Sequence, residues 1–273
     1  MSVLKINEDS IYYEVHGQGE PVVLLHGLGG NHATWFQQTA VYSKGYQVIL
    51  IDQRGFGNST DKAGLGRSGF VSDLTAVLDH LKIDKAALIG QSMGGGTAIT
   101  FAAQNPQRVS ALVIADSLHC IEESADVAAI MDKARADTDG LSQIERVLGK
   151  ATIERDPTAA TLYQQINSFN ATNRSNLVGS YSDAKVTPQT LSELGCPVMF
   201  IVGHDDVLFP LEAVRLVQEQ VEGSFIIEFD NCGHSAFYER AQEFNDSVLS
   251  LLQMAGLEPV ASVHSNASGY AKV

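Results

Sequence analysis

The pentapeptide Gly90-Gln91-Ser92-Met93-Gly94 reads G-x-S-x-G and follows the apolar run Ala86-Ala87-Leu88-Ile89. A serine in a tight turn from strand to helix holds its hydroxyl exposed above the sheet, as a nucleophile requires. Gly90 and Gly94 suit that turn because a larger side chain at either place collides across it. A serine hydroxyl attacks poorly until a base removes its proton, so a histidine is expected on another loop at the same sheet edge. His234, in Asn231-Cys232-Gly233-His234 after the last strand candidate, fits that place. The imidazole needs a carboxylate to fix its tautomer, and the loop after the preceding strand carries Gly203-His204-Asp205-Asp206 with Val207-Leu208-Phe209-Pro210 behind it. On chemistry alone either aspartate serves. The chain order Ser, Asp, His is that of one recurrent triad framework. Acyl transfer also needs backbone N–H groups for the oxyanion, and one is expected from Met93, at the start of the helix after the serine.

The elements around these residues predict an α/β fold. Strand candidates are Ile11 to His16, Pro21 to His26, Gln47 to Asp52, Ala86 to Gly90, Val109 to Asp116, Pro197 to Gly203 and Ser224 to Asp230. Runs as continuous as Val198-Met199-Phe200-Ile201-Val202 must be covered on both faces, which points to a mostly parallel sheet of about eight strands between helices. The first two candidates are expected to form an antiparallel edge. Helices are predicted over Ala33 to Ser43, Ser68 to Leu81, Met93 to Asn105, Leu211 to Val221 and Ala236 to Met254. Leu74, Val77, Leu78 and Leu81 make one buried stripe. Between Leu118 and Leu194 the strand rhythm gives way to helical spacing, so residues 118–194 read as a helical cap inserted in a core of residues 1–117 and 195–255. The tail, 256–273, has no apolar period and reads as disordered.

The 273 residues, 44% hydrophobic and 18% charged, are enough for one sizeable core. Thirty-two Asp and Glu against 18 Lys and Arg give a formal charge of −14, which repels nucleic acid and anionic lipid and weakly disfavours multiply anionic substrates. No stretch is apolar enough for a membrane span or a signal peptide, so the expected location is the cytoplasm. Cys120, Cys196 and Cys232 lack metal or disulfide spacing, and only His204 beside Asp205 and Asp206 clusters possible ligands; neither a metal nor a cofactor is expected.

With these motifs the sequence resembles the α/β-hydrolase superfamily from about residue 10 to 254. The resemblance is to the branch of small carboxylesterases, enol-lactonases, cofactor-free perhydrolases and carbon–carbon bond hydrolases. It implies Asp206 rather than Asp205 as the acid, with Asp116, after Val109 to Ile114, as the rarer alternative. It assigns the second oxyanion donor, expected in His26-Gly27-Leu28-Gly29-Gly30, to the Leu28 amide, and it matches Asp52-Gln53-Arg54-Gly55-Phe56-Gly57-Asn58-Ser59 to a family turn. His26 and Arg54 read as scaffold. Trp35, Phe36, Phe209 and Phe237 are candidates to line the substrate pocket. Serine at the elbow excludes the aspartate-nucleophile dehalogenases and epoxide hydrolases. The expected activity is hydrolysis of a small, neutral or singly charged ester or lactone. Carbon–carbon hydrolysis of a ring-cleavage dienoate is the alternative, and it calls for an Arg or Lys inside the pocket. Perhydrolysis needs no further residue, and a non-catalytic receptor is the remote alternative.

Overall fold

The computed structural model describes residues 2–182 and 185–260. Eight strands form one sheet: β1 (Ser2–Ile6), β2 (Asp9–His16), β3 (Pro21–Leu25), β4 (Gln47–Ile51), β5 (Ala86–Gln91), β6 (Val109–Ala115), β7 (Val198–Gly203) and β8 (Phe225–Phe229), in the order β1-β2-β4-β3-β5-β6-β7-β8. β1 pairs antiparallel with β2, and β2 antiparallel with β4; every other pairing is parallel. The antiparallel edge therefore consists of Ser2–Ile6 and Asp9–His16, not of the first two strand candidates. Val22 to Leu25 are all buried, so β3 needs cover on both faces and lies parallel between β4 and β5. β1 is largely exposed, and its Val3 and Lys5 give no continuous apolar run to read.

Helices cover both faces. Along β5, Leu88 packs in one cluster and Ile89 in the other, as the two-residue period of a strand dictates. On the Leu88 side lie α2 (Phe70–His80), α3 (Met93–Gln104) and α9 (Leu211–Gln218); Leu74, Val77 and Leu78 of α2 are buried there. On the Ile89 side lie α1 (Phe36–Tyr42), α10 (Ala236–Glu239) and α11 (Ala241–Met254). α3 stops at Gln104 because Pro106 disfavours helical backbone at Asn105.

Between β6 and β7 the chain forms α4 (Ala125–Asp137), α5 (Gln143–Val147), α6 (Lys150–Arg155), α7 (Pro157–Asn167) and α8 (Pro188–Ser192). Side chains supply caps that the short helices need: Ser124 accepts from Val127 N, Asp156 from Ala159 N, and Ser142 with Glu145 forms a capping box. The two ends of this helical segment are joined at its base, where Val186 N donates to Cys120 O at 2.7 Å and Glu122 N to Val186 O at 2.8 Å. The tail begins differently from its expected disorder. Leu257 is buried, the Tyr46 hydroxyl donates to Leu257 O, and Val260 N donates to Gly45 O. Those bonds hold 256–260 on the core; residues 261–273 lie outside the described residues.

Candidate active site

Ser92 sits between β5 and α3 with φ 49° and ψ −114°, a conformation that costs an L-residue on the order of 1–3 kcal/mol. The turn is held from three sides. Ser92 N donates to Ala115 O at 2.9 Å, and its carbonyl accepts from Gly95 N at 2.9 Å and the Ser117 hydroxyl at 2.8 Å. A Cβ on Gly90 falls 2.4 Å from Gly94 O, and one on Gly94 falls 2.0 Å from Leu25 O, so both positions require glycine.

His234 and Asp206 meet: Nδ1 lies 2.9 Å from Oδ2. The other Asp206 oxygen accepts from Leu208 N at 2.8 Å and Phe209 N at 3.0 Å, which aims the carboxylate. A carboxylate can only accept, so it keeps the proton on Nδ1 and leaves Nε2 as the basic nitrogen. Phe209 stacks on the imidazole at 5.7 Å between ring centres, and Gln91 Nε2 holds His234 O at 2.8 Å. Asp205 is exposed. Asp116 does not bond the imidazole; its oxygens accept from Gly203 N at 3.2 Å and Ala236 N at 3.0 Å. It therefore ties together the loops that carry Asp206 and His234. Burial, and then the charge of Asp206, push its carboxyl well above the usual range. The His204 ring lies 2.6 Å from Asp230 and 3.3 Å from Glu228.

Ser92, His234, Leu28, Met93 and Phe209 line one cavity of about 280 Å³. As the first residue of α3, Met93 has an N–H with no intrahelical acceptor, and among the described residues nothing accepts from it or from Leu28 N. The loop bearing Leu28 is fixed by His26, whose Nδ1 lies 2.8 Å from Gly27 O while Nε2 accepts from Gln53 N at 3.0 Å. Arg54 grips Asp73 with two bonds, at 2.9 and 2.7 Å, and Asp9 with a third at 2.5 Å. Both residues are scaffold. Of the four aromatic candidates, the structure brings only Phe209 to the cavity. Trp35 and Phe237 pack on each other 4.3 Å apart in the core, and Phe36 lies at the surface against Tyr238.

Residues 20–146 match the α/β-hydrolase fold family. A hydrolase of Burkholderia vietnamiensis named 2-hydroxy-6-oxononadienedioate/2-hydroxy-6-oxononatrienedioate hydrolase is 30% identical, over 89% of this chain and 91% of its own. The chain belongs to the α/β-hydrolase fold family. Among solved structures, a thermophilic esterase from Thermogutta terrifontis superposes with a TM-score of 0.77 at 21% identity, over 93% of this chain and 99% of its own. The enol-lactonase from Burkholderia xenovorans LB400 gives 0.76 at 24%, over 92% and 100%.

In this α/β hydrolase the cavity lining is rich in cations. Arg67, Arg135, Arg146, Arg174 and Lys185 all line it, against one carboxylate, Glu123. Reading along the chain does not find them, because they lie up to 118 positions apart and come together only in the fold. His119 lines the same cavity and is kept neutral: burial, and then the charges of Arg67, His234, Lys185 and Arg135, pull its pKa down to about 3. No helix among the described residues is long and apolar enough to cross a membrane.

Proposed function

We propose that this α/β hydrolase cleaves a small carboxylic ester or lactone through an acyl-enzyme, with Ser92, His234 and Asp206 as a catalytic triad. The pairing of His234 with Asp206 at 2.9 Å, in the cavity that holds Ser92 on its strained turn, carries the reading. Ser92 Oγ adds to the carbonyl carbon as its proton passes to His234 Nε2, and the imidazolium stays paired with Asp206. The Leu28 and Met93 amides form the oxyanion hole and take up the new negative charge. Collapse breaks the bond to the alkoxide, which takes the proton from His234 and leaves the acyl group on Ser92. Water, giving its proton to the same nitrogen, then releases the acid. The cytoplasm suits three cysteines that are all free thiols.

A second reading, hydrolysis of a carbon–carbon bond in a ring-cleavage dienoate, is favoured by the cations in the cavity, since such a substrate must anchor a carboxylate. The test is a panel of p-nitrophenyl esters of rising acyl length, a small aliphatic lactone and a 2-hydroxy-6-oxo-dienoate, with Ser92→Ala beside the wild type. Ester or lactone turnover that Ser92→Ala abolishes supports the first reading. Dienoate cleavage with no ester turnover replaces it with the second.

A further inference from the structure

This inference rests on reading the Leu28 and Met93 amides as the oxyanion donors of the Ser92 cavity. We propose that Asn170 and Tyr181, in the segment that follows α7, are positioning residues that hold those two donors in place, one residue for each.

The donors lie on separate elements, Leu28 in the turn after β3 and Met93 at the start of α3, and residues 170–181 are hydrogen-bonded to both. The turn closes through Gly30 N and Gly27 O at 3.1 Å, with Leu28 and Gly29 between them. The core holds its first end, where His26 Nδ1 meets Gly27 O. Its other end is held by the segment between β6 and β7: Asn170 Nδ2 donates to Gly30 O at 3.1 Å, and Asn31 Nδ2 to Ile166 O at 3.1 Å. Asn170 Oδ1 accepts from Gly57 N at 3.0 Å and from Asn31 Nδ2 at 3.3 Å. Asp52 takes Asn58 N at 2.8 Å, so the turn that presents Gly57 N is itself anchored. Gly30 O can only accept and Gly57 N–H can only donate. A side chain that serves both needs a donor and an acceptor side by side, which a carboxamide has and a carboxylate or alkyl group lacks.

At the other end of the segment the Tyr181 hydroxyl donates to Met93 O at 2.8 Å. The ring is seated on α3: a Cβ on Gly96 falls 2.7 Å from Tyr181 Cζ, and the Phe70 and His119 rings each lie 6.0 Å away, centre to centre. The Met93 N–H belongs to the peptide whose carbonyl, Ser92 O, is held by Gly95 N and Ser117 Oγ. Tyr181 holds the next carbonyl, so the Met93 amide is fixed from both sides. Between the two anchors Val178 O accepts from Arg67 N at 3.0 Å, and a Cβ on Gly55 falls 2.6 Å from Thr172 Oγ1. Neither Asn170 nor Tyr181 lines the cavity, so neither acts by touching the substrate. Oxyanion donors lower the barrier in proportion to how well they are fixed before the charge develops, and these two bonds supply that fixing.

Single-turnover acylation by p-nitrophenyl hexanoate, together with inhibition by 1,1,1-trifluoro-2-heptanone and by 2-heptanone, separates positioning from support of the fold. The trifluoromethyl ketone takes Ser92 Oγ on its carbonyl carbon as the serine proton passes to His234, and it leaves a tetrahedral oxyanion. 2-Heptanone has the same chain and remains a ketone. Tyr181→Phe, which keeps the ring, should slow acylation about fivefold, and Asn170→Ala about tenfold or more, because a displaced donor forfeits part of what a removed one does. The ester concentration at half-saturation and the Ki of 2-heptanone should stay within about twofold of the wild type, while the Ki of the trifluoromethyl ketone rises by the factor lost in rate. Asn170→Asp still accepts from Gly57 N but turns an oxygen on Gly30 O, so it should acylate no faster than Asn170→Ala. It carries the test with Tyr181→Phe if Asn170→Ala fails to fold. A wild-type rate and trifluoromethyl ketone Ki in either Tyr181→Phe or Asn170→Asp overturns the proposal. So does a loss that falls on half-saturation or on 2-heptanone as heavily as on the rate. If the wild type shows no Ser92-dependent acylation, the ester reading fails, and the ketone pair alone judges this proposal; a trifluoromethyl ketone bound no tighter than 2-heptanone then overturns it as well.

Discussion

Glu239 joins the helical segment between β6 and β7 to the loop that carries His234, and its removal should cost both stability and rate. Oε2 accepts from Gly149 N at 3.0 Å, and Oε1 from Gly233 N at 3.0 Å and Ser235 N at 3.4 Å. The two glycines cross so closely that a Cβ on Gly233 falls 2.2 Å from Gly149 N. Glu239→Ala leaves two well-aligned amides without their acceptor. Hydrogen bonds to a charged group contribute about 1.5–3 kcal/mol each. The carboxylate is half-buried beside a surface groove, so water recovers part of that, and the expected loss is about 2–4 kcal/mol. For a chain of this size that is a fall in Tm of roughly 5–15 °C. Gly233 immediately precedes His234, so kcat should drop about tenfold or more, because small misplacements of a reacting group are expensive. Glu239→Gln keeps one acceptor but turns an NH2 towards an N–H, and it should fall between the two. Urea unfolding and single-turnover acylation by a p-nitrophenyl ester measure both effects. A Glu239→Ala protein within about 0.5 kcal/mol of the wild type refutes the stability argument. One that is destabilised but acylates at the wild-type rate refutes the link to His234.

Asp206→Asn presents an amide to His234 and disturbs its tautomer; kcat should fall by roughly 10³–10⁴, and a loss under tenfold would place the orienting acid elsewhere. Arg54→Met strands the carboxylates of Asp9 and Asp73 in the interior and should cost about 3–5 kcal/mol in urea unfolding, whereas a neutral change would show that those acids find other partners. His119 has its pKa pulled down to about 3, so as pH falls below about 6.5 the unfolded chain takes up a proton that the folded one does not. Stability is therefore lost as pH drops from about 6.5 towards 3, and His119→Asn should show a shallower loss between pH 7 and pH 5. Identical slopes would contradict the burial argument.

The pairing of His234 with Asp206, and the placing of Ser92 and His234 on one cavity, were legible because each lies where a strand ends, and a strand end is a local signal. The G-x-S-x-G turn needs its glycines within five residues, and that requirement is written contiguously. Strand order is not written that way. The apolar run of β3 says that both faces are covered but not which strands flank it, so the expectation of Pro21 to His26 at an antiparallel edge fails, while the polar positions of Ser2–Ile6 conceal a strand. Trp35 and Phe237 look locally like any pocket aromatic, since a core and a binding cavity both accept apolar rings. The cationic lining was hidden for a different reason: net charge averages over the surface, whereas Arg67, Arg146 and Lys185 reach one cavity only through the fold.

The most direct test of the central claim is the pre-steady-state release of nitrophenol from a p-nitrophenyl ester by wild type and Ser92→Ala at equal concentration. A burst of about one equivalent per wild-type chain, absent in Ser92→Ala, is the predicted result for an acyl group carried on Ser92. Nitrophenol release by Ser92→Ala with the wild-type burst and rate would contradict it.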